Sequence, residues 1–144
     1  MQGSIIDTPC AIAVNDIDQA VEMGMSTTGE LIHDGRGPAK VFHIHLMGCT
    51  LKPQQPHMPD WSWFQVTFDG MPEGELFSIA GAEGIGLRIT DQAGNVAKPG
   101  IPLPRAMLKP GSQALEYSLR VVAAQHRLVA GDYRATVRFK VDYF

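Results

Sequence analysis

The sequence predicts an all-β sandwich, and three observations carry that expectation. Short apolar stretches alternate residue by residue with polar ones, a period that puts one set of side chains on a buried face and the other in solvent. Turn signals separate the stretches, among them Gly35-Arg36-Gly37-Pro38 and the proline-rich connectors at residues 52–60 and 98–105. Seven or so such strands follow one another at a spacing compatible with Greek-key connections, as in an immunoglobulin-like sandwich. Helix content is expected to be low.

Taken in order, a first strand is expected over residues 3–13, with Pro9 marking an edge strand or a switch between sheets because proline donates no ladder hydrogen bond. Residues 15–25 mix a strand with a turn, and VNDIDQAVEMG is equally readable as one or two helical turns. VFHIHLMGC reads as a buried strand with Phe42, Ile44 and Leu46 on one face; Cys49 is out of phase with them, so a bulge near Gly48 is needed to turn its sulfur inward. In WSWFQVTFDG the set Ser62, Phe64, Val66 and Phe68 is the better core candidate. ELFSIAG and GIGLRITDQAGN follow, the second closing in a turn at residues 91–95. LEYSLRVVAA buries Leu115, Tyr117, Leu119 and Val121. The final strand, GDYRATVRFKVDYF, alternates Tyr133, Ala135, Val137, Phe139, Val141 and Tyr143 against charged and polar residues. No sequence follows it to supply the next strand.

At 144 residues the chain is long enough for one domain with a real core, so residues 1–144 are expected to form a single unit. The longest apolar runs fall far short of the ~20 residues of a membrane span, so no direct membrane insertion is expected. A net charge of -3 with dispersed Lys and Arg leaves no electrostatic footprint for nucleic acid. Met1-Gln2-Gly3 leads straight into strand-like text without the layout of a signal peptide, as in a cytosolic, mature or engineered form. The two cysteines, Cys10 and Cys49, lack metal-type spacing; an even count in a small β-rich chain favours a disulfide in an oxidising compartment, the alternative being two unrelated buried thiols.

Catalytic constellations are scarce: the chain has no G-x-S-x-G elbow, no phosphate-cradling loop and no H-E-x-x-H. GAEGIG at residues 81–86 has the wrong spacing for a nucleotide loop and reads as a bulge or tight turn entering a strand. Asp16 and Asp18, like Glu73 and Glu75, fall in turn-like text where a solvated loop is expected. His43 and His45 lie two apart on a strand, so both imidazoles leave the same face. They are the metal-site candidates, with His33, His57 or His126 as a third ligand. The plainer reading makes them part of a solvent-facing or partner-facing surface. No cofactor is expected.

Several of these stretches together resemble a known family. G-S-I-I-D-T-P-C at residues 3–10, F-H-I-H-L-M-G-C at 42–49 and G-I-G-L-R-I-T-D at 84–91 are similar to the subunits of chaperone–usher pili. The ending resembles theirs as well, with Gly131 fourteenth from the end and Tyr143 second from it. Within that family the text NDIDQAVEMG, FQVTFDG and ALEYSLRVV looks most like the subunit that terminates and anchors the P pilus at its base.

The resemblance implies an incomplete immunoglobulin-like sandwich that lacks its seventh strand, leaving a groove between the first strand and the last. A strand from another chain completes it, the β-augmentation for which chaperone–pilin pairs are a recognised example. On this reading Gly131, Tyr133, Ala135, Val137, Phe139, Val141, Tyr143 and Phe144, with Ile5 across the groove, contact the incoming strand. The carboxylate of Phe144 is then the group that basic residues of a periplasmic chaperone anchor. The implied partners are that chaperone, an outer-membrane usher and a neighbouring pilin. The implied location is the periplasm during assembly and the pilus at the cell surface afterwards, and the implied role is structural, not enzymatic.

The pattern departs from the family before Gly3. A pilin carries there a stretch of alternating apolar residues about one or two strands long, whereas only Met1 and Gln2 precede Gly3. The expectation is a form from which the donor extension has been removed. An ordinary rod or adaptor pilin is the alternative role. A sugar-binding tip adhesin, with Trp61 and Trp63 stacking on the ligand, lacks room for its receptor domain, and both tryptophans are expected in the core or groove. An enzyme with Cys10 or Cys49 as nucleophile would require free thiols.

Overall fold

The structure, a computed structural model, describes residues 1–3, 8–17, 21, 23–124 and 127–144. Its elements in chain order are β1 (Ala11–Ile12), α1 (Val14–Ile17), α2 (Thr28–Asp34), β2 (Lys40–Cys49), β3 (Trp63–Asp69), β4 (Pro72–Glu73), β5 (Leu76–Ser78), β6 (Ile85–Asp91), β7 (Val96–Ala97), β8 (Ala106–Met107), β9 (Gly111–Ala123) and β10 (Arg138–Tyr143). The strands form two antiparallel sheets. The larger runs β1-β2-β9-β6-β5-β4 with β7 attached to β6, and the smaller runs β10-β3-β8.

The alternation in the sequence becomes the core between these sheets. Leu115, Tyr117, Leu119 and Val121 of β9, Ile85, Leu87 and Ile89 of β6, and Ile44 and Leu46 of β2 are buried, opposite Phe64, Val66 and Phe68 of β3. Aromatic rings knit the centre. Phe42 stacks on Tyr117 at 5.4 Å, and Phe68 meets Tyr117 edge-on at 4.9 Å, the arrangements that ring quadrupoles favour.

The bulge expected near Gly48 is present: the β2–β9 register shifts between Leu46 and Cys49, Gly48 has φ 59°, and Cys49 turns inward. Its sulfur bonds Cys10, closing a loop 39 residues apart in sequence. Such a bridge contributes about 4 kcal/mol on the chain-entropy estimate.

Five expectations are corrected. Ser62, expected in the core with Phe64, Val66 and Phe68, is exposed just before β3 begins. Among the described residues the first strand is shorter, β1 at Ala11–Ile12, with Pro9 and Cys10 before it outside any named strand; residues 4–7 of the expected strand lie outside the described residues. Asp16 is not in a solvated loop. It sits at 7% exposure on α1 and accepts hydrogen bonds from the backbone N–H and ring Nδ1 of His45, the latter at 2.9 Å. Trp61 packs against the core but Trp63 is 41% exposed, because β3 keeps strict alternation and Trp63 takes the outer side. Thr67, which that alternation points outward, is buried because the connector at residues 98–104 runs beside β3, with Gly100 and Leu103 donating to the carbonyls of Phe68 and Val66.

Helix α2 has a local cause that strand periodicity passes over. The Thr27 hydroxyl accepts from the Glu30 N–H at 3.0 Å as an N-cap, and Gly35 closes the last turn at φ 76° with its N–H on the Leu31 carbonyl.

Candidate functional site

The final stretch does not form one strand. Its first half bridges the connection between β5 and β6 of the larger sheet: Arg134 exchanges backbone hydrogen bonds with Ala80 at 2.8 and 2.9 Å, as Val129 just before it does with Glu83. It then crosses to the smaller sheet as β10, which pairs with β3 from Arg138 opposite Asp69 to Tyr143 opposite Phe64. Phe144 extends the ladder by exchanging hydrogen bonds with Trp63. The crossing depends on close backbone approach. A Cβ at Gly131 would overlap the carbonyl oxygen of Gly81, and a Cβ at Gly81 that of Asp132. GAEGIG is thus a pair of backbone contacts and turns leading into β6, as its reading as a turn anticipates.

Strand β3 uses both of its edges, one on β10 and the other on β8 and its connector. Strand β10 uses one. Among the described residues no backbone partner lies on its opposite edge. Burial tells the same story through side chains. Tyr133, Ala135, Val137, Phe139, Val141 and Tyr143 all pack against the core yet stay partly exposed, while the facing residues of β3 are fully buried. Phe139 lies 6.3 Å from Phe68, ring to ring, so among the described residues this row is core that lacks a cover on one side. An unpaired edge beside uncovered apolar side chains is the geometry that a strand from another chain completes.

Burial raises the Tyr133 and Tyr143 phenol pKa values above the ordinary tyrosine value. The Tyr133 hydroxyl is enclosed without a hydrogen-bond partner among the described residues. Phe144 sits at the end of the row on the outer side, where the Arg105 guanidinium carbon lies 3.7 Å from its ring centroid. Arg105 has no local signal in the sequence, because the contact spans β3 from one edge to the other. Ile5, the residue expected across the groove, lies outside the described residues.

His43 and His45 do share the outer face of β2, with ring centroids 6.0 Å apart. Each faces a carboxylate: His43 Nε2 lies 3.3 Å from Glu116 Oε1, and His45 meets Asp16. No group of three or more His, Cys, Asp or Glu side chains suited to a metal ion occurs among the described residues; His126 lies outside them. Cys10 and Cys49 are bonded to each other, so neither is a thiol nucleophile. No helix among the described residues is long and apolar enough to cross a membrane.

Comparison with known proteins places this edge in context. The chain matches the family model described as "Fimbrial protein" over residues 1–144. It is 35% identical over 145 residues to the PRS and PAP fimbrial minor pilin proteins of Escherichia coli, covering 98% of this chain and 74% of each relative. It is also 35% identical to the fimbria A protein of Serratia marcescens, over 98% of this chain and 80% of that one. Among solved structures it resembles the P pilus rod subunit, with a TM-score of 0.80 at 18% identity over 95% of this chain and 100% of that chain. It resembles a chaperone–usher pilus subunit with a TM-score of 0.82 at 20% identity, over 100% and 93%. Those two likenesses establish the shared fold, an immunoglobulin-like sandwich without its last strand. With the sequence relatives and the family match, the conclusion is plain: the chain belongs to the fimbrial protein family and is a pilin of the chaperone–usher type, a structural subunit and not an enzyme.

Proposed function

We propose that residues 1–144 act as one pilin unit that terminates a chaperone–usher pilus and anchors it at its base. In the periplasm a chaperone lends a strand along the free edge of β10. An outer-membrane usher then receives the complex, and the subunit joins a neighbouring pilin in a fibre at the cell surface. The strand contacts run from Gly131 through Tyr133, Ala135, Val137, Phe139, Val141 and Tyr143 to Phe144, with Ile5 on the far side. The observation that carries this reading is the row of half-covered core side chains beside the unpaired edge of β10. The terminal role draws support from the minor-pilin relatives.

Co-expression with and without a periplasmic pilus chaperone tests the strand-accepting edge. The expected result is a soluble one-to-one complex with the chaperone and poor recovery alone; a chain that is monomeric and cooperatively folded by itself contradicts the reading. The terminal role is tested by offering the complex synthetic N-terminal extension peptides of sister subunits. Persistent chaperone binding supports a terminator, and rapid exchange identifies a rod or adaptor subunit.

A further inference from the structure

On the outer side of the smaller sheet, two contacts tie β10 to its neighbours near its ends. Arg138 stands directly opposite Asp69, with Nη2 3.6 Å from Oδ2. This exposed pair contributes little alone. At the other end the tie is longer. Arg105, adjoining β8, reaches across β3 and lays its guanidinium over the Phe144 ring. Beneath that contact the Phe144 N–H donates to the Trp63 carbonyl at 2.9 Å, and the Phe144 carbonyl accepts from the N–H groups of Trp63 and Ser62 at 3.0 and 2.7 Å. The ring and the backbone of one residue are thus held by both of the other strands of the sheet.

The location matters because, among the described residues, β10 is paired on one side only. A slip of one residue against β3 would turn Phe139, Val141 and Tyr143 toward solvent and their polar neighbours toward the core. Six residue pairs and an exposed ion pair resist such a slip. A cation–π contact anchors the side chain that ends the ladder, where strands otherwise fray.

We infer that Arg105 is a positioning residue: its clasp on Phe144 fixes the register of β10, so that the edge offered to an incoming strand presents the apolar row inward. This rests on the strand-accepting reading of β10 and adds the residue that sets its register. Arg105 does not face the groove. It acts through Phe144.

The test combines amide exchange with strand capture in the variants Arg105→Ala, Arg105→Met, Arg105→Lys, Phe144→Leu and the Arg105→Ala/Phe144→Leu double. Amides of Trp63 and Phe144 should exchange about two- to fivefold faster in Arg105→Ala, as expected for loss of a solvent-exposed cation–π contact, with the Leu103 amide on the other edge of β3 unchanged. Phe144→Leu should match it, and the double variant should add nothing. Arg105→Met, which keeps the stem without the charge, should behave like the alanine variant, and Arg105→Lys should recover part of the protection. Capture of the strand of a co-expressed periplasmic chaperone should slow by the same factor. Unchanged exchange, additive effects or full recovery by methionine overturns the clasp; faster exchange with unaltered capture overturns its presenting role. If the wild-type chain captures no chaperone strand, the functional reading and the presenting role fail together, while the exchange data still decide whether the clasp exists.

Discussion

Gly131 and Gly81 meet backbone to backbone, with the carbonyl oxygen of Gly81 occupying the space a side chain on Gly131 would need. The chain can change sheets here only because neither residue has a Cβ. Gly131→Ala should therefore force the two segments apart and lower stability by about 3 kcal/mol, read as a shift of the denaturation midpoint of the oxidised protein. An alanine at Gly94, in an exposed turn with open space around it, should cost less, because its penalty is the positive φ of 91° without a backbone clash.

Phe139 and Lys140 are neighbours on opposite faces of β10. Phe139→Asp places a charge in the row an incoming strand would cover, at a cost of about 3 kcal/mol or more. Chaperone capture, measured by co-purification, should drop by about a hundredfold. Lys140→Asp changes a solvent-facing residue and should leave capture near the wild-type level.

Asp16 tethers α1 to β2 by accepting from the backbone N–H and the ring Nδ1 of His45. Asp16→Ala leaves the His45 amide without its acceptor and should cost about 1–3 kcal/mol. Hydrogen exchange should localise the effect: the His45 amide loses protection, while amides in the β6–β9 ladder keep theirs.

All three tyrosines are shifted in the same direction. Burial, with the nearby Asp91 charge adding to it, holds the Tyr117 phenol far above the ordinary value, and burial alone raises Tyr133 and Tyr143. A folded-state pKa above the unfolded one means the native chain keeps protons that the unfolded chain releases, so stability is intact below pH 10 and falls as pH rises beyond it. Spectrophotometric titration should find little tyrosinate near pH 10 in the folded protein, then a cooperative rise coincident with unfolding. Normal phenol titration at pH 10 in the folded state would contradict the burial of these rings.

The strand faces were legible because alternation is local. Phe64, Val66 and Phe68, and Leu115 through Val121, take the positions their period dictates, and the phase break before Cys49 announced the bulge at Gly48. Helix α2 also had a local signal, Thr27 with Glu30 three residues on and Gly35 at the end, which attention to period 2 obscured. The burial of Asp16, the crossing at Gly81 and Gly131, and the reach of Arg105 to Phe144 were not legible. Each joins residues far apart in sequence, and no short window records which of them meet. For the candidate site, the alternation of residues 133–143 gave the inward row but not its division between two sheets, and the missing strand came from likeness to a family, since a period describes only residues that are there.

The sheet change in the last stretch also bears on when the sandwich can form. Ladders such as Phe64 with Tyr143 and bridges such as Ala80 with Arg134 join residues well separated along the chain, and such contacts close slowly because long loops must be ordered first. The β3–β10 ladder waits for residues 138–143, which follow every other described strand in chain order. Until that pairing forms, the smaller sheet consists of β3 and β8 alone.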